Sequence, residues 1–133
     1  MKANHEYQTC VAIAMYIKCQ YPTVLFRFDL AGLNLSKAQA GMNKAIQCMR
    51  GYPDLFIMEP RGENAGLFLE IKAEGTRIYK AGKFHVQCGG EMATDHLAEQ
   101  AETLNKLRAK GYACYFAVGF DDARYRIDQY LKN

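Results

Sequence analysis

The sequence lacks several features that would each decide the class of protein. It contains no run of about 18 apolar residues, so no transmembrane helix is expected. The opening segment, MKANHEYQTC, turns polar and charged within six residues, which is not the pattern of a signal peptide. No internal repeat, low-complexity tract or linker interrupts the 133 residues. The chain is therefore expected to form one domain, residues 1–133, in the cytoplasm.

Cysteine and glycine motifs are also missing. The five cysteines are odd in number, widely spaced and form no C-x-x-C pair, so they are predicted to be reduced thiols that fill the core. His85 and Cys88 form an H-x-x-C pair without a second pair of ligands, so zinc is not predicted. Gly89 and Gly90 lack the lysine and the following Ser or Thr that a phosphate-binding P-loop needs.

Positive charge exceeds negative charge only slightly, with a net charge of +3. So small an excess does not establish a polyanion partner. The positive charge is concentrated in residues 72–83, KAEGTRIYKAGK, where four basic residues stand against Glu74 alone. Such a loop is typical of a surface that contacts phosphates. A solvated, flexible loop without a ligand explains the same charges, and the composition does not choose between the two interpretations.

What the sequence does contain is an ordered series of helix and strand patterns. The predicted helices are 4–20, 36–50, 94–111 and 121–132, and the predicted strands are 23–28, 54–58, one within 66–75, and 112–118. Turn residues at 59–66 predict a β-hairpin between the second and third strands. This order predicts an α/β or α+β domain with a mixed sheet of about four strands flanked by helices.

The predicted hairpin carries the residues that suggest chemistry. Side chains alternate faces along a strand, so Glu70 and Lys72 of LEIK project from the same face. Asp54 starts the preceding strand, and a hairpin brings opposite ends of its two strands together. Two carboxylates and a backbone carbonyl suit a hard cation such as Mg²⁺, beside which Lys72 could orient a water or neutralise phosphate charge. The alternative is structural, with Glu70 and Lys72 as an ion pair on an exposed edge strand and Asp54 as a turn cap after Pro53.

Two further polar residues lie on apolar helix stripes. Gln100 falls between Leu97 and Leu104, where a buried amide needs hydrogen-bond partners. Glu6 heads the apolar stripe of the first predicted helix and is expected to point inward near the start of that helix. The alternatives are a structural glutamine in the core and a surface glutamate at a frayed helix end.

The ordered set GYPD, LEIK and HLAEQAETLNKLRAKGY resembles the virus-type replication-repair nuclease (VRR-NUC) branch of the PD-(D/E)XK nuclease superfamily, along most of the chain. The resemblance implies a restriction-endonuclease-like core. The site residues that it implies are the metal ligands Asp54, Glu70 and the Ile71 carbonyl, the catalytic Lys72, the helix glutamine Gln100 and the first-helix acid Glu6.

The same resemblance implies a Mg²⁺- or Mn²⁺-dependent enzyme that hydrolyses phosphodiester bonds in DNA, with no small-molecule cofactor and no membrane partner. Stand-alone members of the family resemble phage-encoded Holliday-junction resolvases. A homodimer that cuts branched DNA is therefore expected, in the cytoplasm of a bacterial or phage-infected cell. The alternatives are a flap or single-strand nuclease and a non-catalytic DNA-binding module on the same fold. The presence of Asp54, Glu70 and Lys72 together favours an enzyme, since a binding module has no need of all three.

Overall fold

The computed structural model describes residues 2–29, 33–49, 51–80 and 92–132. Its elements follow the predicted order of helix, strand, helix, β-hairpin, helix, strand and helix. The helices are α1 (Lys2–Gln20), α2 (Lys37–Ala45), α3 (Asp95–Ala109) and α4 (Gly119–Leu131). The strands are β1 (Phe26–Phe28), β2 (Leu55–Ile57), β3 (Leu67–Lys72) and β4 (Ala113–Val118). None of the helices in these ranges is long and apolar enough to cross a membrane.

The four strands form one sheet in the order β1-β2-β3-β4. β1 pairs with β2 and β2 with β3 in antiparallel fashion, whereas β4 joins β3 in parallel after the crossover through α3. The predicted hairpin is confirmed, with Leu55 opposite Leu69 and Ile57 opposite Leu67. The predicted α+β class with a mixed four-stranded sheet is confirmed as well.

Side-chain alternation divides the sheet into two faces with separate cores. On one face, Leu55 and Leu69 are fully buried in the core that includes residues of α1 and α4. On the opposite face, Phe68 packs with Leu104 and Leu107 of α3. The face on which Phe68 lies is called the α3 face below, because α3 covers the part of it formed by β3 and β4. Apolar burial on both faces explains why β3 reads as a nearly continuous apolar run.

The largest differences from the predicted bounds are at the start of β1 and at the end of α2. β1 begins only at Phe26, because the chain turns after Pro22 before it enters the sheet. α2 starts as predicted, with Ser36 as N-cap and Gln39 completing a capping box, but it ends at Ala45. No residue of α2 is buried, so no packing against the core extends this helix to the predicted end at residue 50.

The prediction that the cysteines fill the core is wrong for two of them. Cys114 is buried and Cys10 is half-buried, but Cys19 and Cys48 are exposed. The physical reason is position, because one lies near the end of α1 on its solvent side and the other follows the fully unburied α2. Cys88, with the rest of the H-x-x-C and glycine-pair patterns, lies outside the described residues.

Gly66 precedes β3 at a point where the neighbouring strand leaves no room for a side chain. A Cβ at this position would lie 2.8 Å from the Ile57 carbonyl oxygen and 2.9 Å from Phe56 Cε1. Gly66→Ala is therefore expected to lower the free energy of unfolding by about 1–3 kcal/mol. Chemical denaturation measures this change.

Gly41→Ala is the matched control for that substitution. A Cβ at Gly41, within α2, meets nothing within 4 Å. The higher helix propensity of alanine is expected to raise the free energy of unfolding by up to about 1 kcal/mol. If both variants shifted the denaturation midpoint in the same direction, the close approach at Gly66 would not be a constraint on the fold.

Candidate active site

The two predicted carboxylates meet on the α3 face, at the end of the β2–β3 hairpin. Leu55 lies opposite Leu69, which places Asp54 opposite Glu70 one position further along. The two carboxyl groups lie close enough that each shifts the pKa of the other. The Ile71 amide also donates to Asp54 Oδ2, at 2.7 Å. The register of the hairpin therefore assembles the acidic pair.

The amino group of Lys72 lies beside this pair, with 3.9 Å between its Nζ and Glu70 Oε1. The side chains of Lys72 and Glu70 are only 12% and 7% exposed. β3 pairs with β2 on one side and with β4 on the other, so the alternative of an ion pair on an exposed edge strand is wrong. The pair lies in the interior of the sheet, where charged groups are costly to bury.

Gln100 of α3 contacts the acidic pair directly. Its Nε2 donates to Glu70 Oε1 at 3.0 Å, while Leu97 and Leu104 on the same helix are buried as predicted. Its Oε1 is buried and has no hydrogen-bond partner among the residues that the structure describes. The amide therefore orients Glu70 and leaves one acceptor oxygen unused beside the carboxylates.

Glu6 reaches the same region from α1. It is half-buried, and its negative charge is among the causes that raise the pKa of Asp54 and Glu70, after burial itself. Burial, followed by the charges of the three carboxylates, raises the pKa of the Cys10 thiol to about 12. The structure thus brings Asp54, Glu70, Lys72 and Gln100 together, and Glu6 lies near enough for its charge to act on the two carboxyl groups.

The raised pKa values of Asp54 and Glu70 favour a proton on the acidic pair at neutral pH. Burial raises the pKa of Glu70 to about 9, and the neighbouring charge of Asp54 adds to the rise while Lys72 opposes it. Burial also raises the pKa of Asp54, although its hydrogen bonds with Glu70 and Ile71 act in the opposite direction. Negative charges this close to each other disfavour ionisation of both carboxyl groups in the absence of a cation. A divalent cation could replace the shared proton.

The ligand set suits magnesium or manganese better than zinc. Within the described ranges, no group of three or more His, Cys, Asp and Glu side chains is arranged to hold a metal ion. A cation beside Asp54 and Glu70 would complete its shell with main-chain oxygen and water, as hard cations do. The Ile71 carbonyl lies on the same side of β3 as the amide that contacts Asp54. The unpartnered Oε1 of Gln100 can accept a hydrogen bond from such a water. The donor set therefore fits a hard divalent cation.

Arg27 of β1 and Asp29, the residue that follows β1, line the cavity next to Asp54 and were not predicted from the motifs. The strand register places Asp29 next to Asp54, and the Asp29 amide donates to the Asp54 carbonyl oxygen at 2.8 Å. Arg27 lies opposite Phe56 on the same face. The sequence feature that could have predicted them is the alternating pattern FRFD, because it puts the arginine and the aspartate on one face of an extended segment.

The geometry can be compared with known proteins. No protein-family model and no curated protein matches the chain. A solved structure described as a VRR_NUC domain protein is similar to it, with 25% sequence identity, coverage of 96% of this chain and 88% of the other, and a TM-score of 0.64. The chain folds as a VRR-NUC domain. The predicted likeness to a VRR-NUC domain and the predicted fold class are thereby confirmed, whereas the stand-alone, phage-resolvase-like subtype stays a prediction. In this VRR-NUC domain the GYPD turn and the LEIK strand form the acidic site described above.

Proposed function

We propose that this VRR-NUC domain is a nuclease that hydrolyses phosphodiester bonds in DNA with the help of Mg²⁺ or Mn²⁺. The observation that carries the proposal is the pairing of half-buried Asp54 with buried Glu70, together with Lys72 Nζ 3.9 Å from Glu70 Oε1 on the same face. Burial of charged side chains costs roughly several kcal/mol per ion, so selection for stability alone would favour apolar residues at these positions. A DNA-binding module gains nothing from two carboxylates placed toward phosphates. The similarity to a VRR_NUC domain protein supports the same function.

The metal would be held by the carboxylates of Asp54 and Glu70 and by the carbonyl of Ile71. When bound, such an ion polarises a phosphoryl oxygen and lowers the pKa of a bound water. The chain fixes both carboxylates in advance, because the Ile71 amide holds Asp54 at 2.7 Å and the Gln100 amide holds Glu70 at 3.0 Å. Gln100 is thus a positioning residue that acts through Glu70.

Lys72 supplies positive charge where the reaction needs it. Its side chain is only 12% exposed, so water screens the charge poorly. In the proposed reaction, its ammonium group stabilises the negative charge that develops on the phosphate and orients the attacking water. Glu6 adds negative potential from the α1 side, which favours a bound cation over an empty site.

The substrate in this proposal is branched DNA of the four-way-junction type, and the active form is a homodimer. Paired incision of a junction needs two active sites at a fixed separation, which a two-fold symmetric dimer provides. The exposed side chains of Arg77 and Lys80 follow β3 and support contact with DNA. Residues 81–83 of the basic segment lie outside the described residues.

Cleavage of a labelled four-way DNA junction tests this proposal. The junction is compared with a linear duplex of matching sequence and with a flap, each in Mg²⁺, in Mn²⁺ and in chelator. Paired, metal-dependent incision of the junction alone is expected, together with a dimer mass in analytical ultracentrifugation. Cutting of flaps or single strands instead would keep the chemistry and replace the substrate. Binding without cutting in either metal would favour the DNA-binding module.

A further inference from the structure

The α3 face carries a pocket beside the acidic pair. α3 packs mainly against Phe68 and Cys114, on β3 and β4, and lies away from β1. A cavity of about 240 Å³ lies on the β1–β2 side of the face, and its lining includes Arg27, Asp29, Gln47, Asp54 and Phe56. The cavity therefore opens next to one of the two proposed metal ligands. Drug-sized ligands occupy pockets of roughly 300–1,000 Å³, so this one suits a smaller, single-ring or two-ring group.

One wall of the pocket is a flat aromatic surface. The rings of Phe56 and Phe68 are stacked, with centroids 4.3 Å apart and an angle of 4° between their planes. β2 lies between β1 and β3, so the ring face of Phe56 that does not contact Phe68 is turned toward β1 and the pocket. Tyr112 packs edge-on against both rings, at centroid distances of 5.8 and 5.1 Å, and holds them in place. A planar ring entering the pocket could extend this stack.

The polar lining favours a neutral planar group over a free phosphate. Arg27 is exposed and offers N–H donors, and Gln47 offers an amide. Asp29 and Asp54 place two carboxyl groups against this one guanidinium, so a phosphate in the pocket would face net repulsion. A nucleobase has the flat face, the N–H donors and the ring acceptors that this combination can satisfy.

We propose that the pocket binds one unpaired nucleobase of the DNA strand, stacked on Phe56 and held at its edge by Arg27. The proposed nuclease function places this base next to the phosphate that is cut, so the inference rests on that function for its position. A base in an intact duplex must first be unstacked and unpaired, which costs roughly a few kcal/mol. A base at a branch or in a single strand is already unpaired and does not incur this cost. The pocket would therefore select branched or single-stranded DNA over duplex.

A binding assay that needs no cleavage tests the pocket. The Lys72→Ala protein, in chelator, is titrated with branched oligonucleotides that carry 2-aminopurine at successive unpaired positions. Fluorescence is expected to change on binding at one position only. An abasic site at that position is expected to weaken binding about 5- to 150-fold, the equivalent of ~1–3 kcal/mol for one stacked base.

Variants of the pocket residues locate the signal. Arg27→Ala and Phe56→Leu are expected to abolish the position-specific fluorescence change. Arg124→Ala is the matched control, because it removes an exposed arginine from α4, which packs on the opposite face of the sheet. It is expected to bind like the parent protein. Thermal melting shows whether Phe56→Leu remains folded. If it does not, Arg27→Ala alone shows whether the fluorescence change comes from the pocket, because the Arg27 side chain is exposed and its loss is not expected to unfold the protein.

The pocket and the nuclease function can fail separately. If the wild-type protein cleaves DNA but no position gives a signal, or if Arg27→Ala and Arg124→Ala behave alike, the pocket is not a base site and the nuclease stands. If the signal depends on Arg27 and Phe56 while no DNA is cleaved in either metal, the pocket stands and the nuclease does not. Absence of both signal and cleavage overturns both proposals.

Discussion

The Lys72→Ala variant is expected to cleave DNA about 100- to 1,000-fold more slowly than the wild-type chain, the range found when one charge-stabilising group is removed from an active site. The reason is that its Nζ, 3.9 Å from Glu70 Oε1, is the buried positive charge beside the acidic pair. Single-turnover cleavage at saturating metal measures this effect. DNA binding is expected to be nearly unchanged, because one buried lysine contributes little to contacts with the phosphate backbone.

The fold is expected to tolerate the loss of Lys72. Without the ammonium group, the pKa of Glu70, raised by burial to about 9, still favours a proton on the pair at pH 7, so the pair carries one negative charge rather than two. Lys106→Ala, on the exposed surface of α3, is the control for removal of a lysine. A Lys72→Ala protein that melts many degrees lower would identify the lysine as structural. Wild-type cleavage by a well-folded variant would remove it from the mechanism.

The acidic site could be predicted because its determinants are local in sequence. Alternation along one strand puts Glu70 and Lys72 on a common face, and the turn residues at 59–66 predict the hairpin that returns to Asp54. Gln100 was predictable for a similar reason, since helical spacing places it between two buried leucines. In each case the period of the element, two residues in a strand and 3.6 in a helix, determines from the spacing in sequence which face a side chain lies on.

The pocket beside the site could not be predicted in this way. Arg27 and Asp29 reach the acidic pair only through the pairing of β1 with β2, and the two strands are separated by residues 29–54. No turn of defined length links them, so nothing in the sequence sets their register. The exposure of Cys19 and Cys48 has a related cause, because a cysteine is compatible with both core and surface and only packing decides between them.

The Glu70→Gln variant is expected to lose cleavage and, without metal, to become more stable than the wild-type chain at alkaline pH. Cleavage is lost because a neutral amide is a poor ligand for a hard cation; a loss of at least about 100-fold is expected. The stability effect follows from the pKa of Glu70, which is about 9 in the folded chain against an ordinary value of 4.5. Between these values the folded state binds more protons than the unfolded state, so wild-type stability falls as pH rises through that window. Glutamine has no such proton, and its amide can still bond to Gln100 and Asp54.

Thermal melting in chelator between about pH 6 and pH 9 measures this difference. The wild-type melting temperature is expected to fall toward the upper end of this range relative to that of Glu70→Gln. Glu63→Gln, which makes the same chemical change at an exposed turn residue, is expected to follow the wild type. A wild-type curve parallel to that of Glu70→Gln would mean that Glu70 is ionised in the folded chain.

Addition of Mn²⁺ separates a metal ligand from a carboxylate that is merely buried. A cation that takes the place of the shared proton is expected to raise the wild-type melting temperature. The rise is expected to be largest at alkaline pH, where protons compete least with the cation for the carboxyl groups. The Glu70→Gln variant is expected to show little or no rise, although it starts from the more stable state. If Mn²⁺ stabilised both proteins equally, Glu70 would not be a ligand. A carboxylate that lowers stability until its cation binds is retained for chemistry rather than for folding, and the two melting series measure that cost directly.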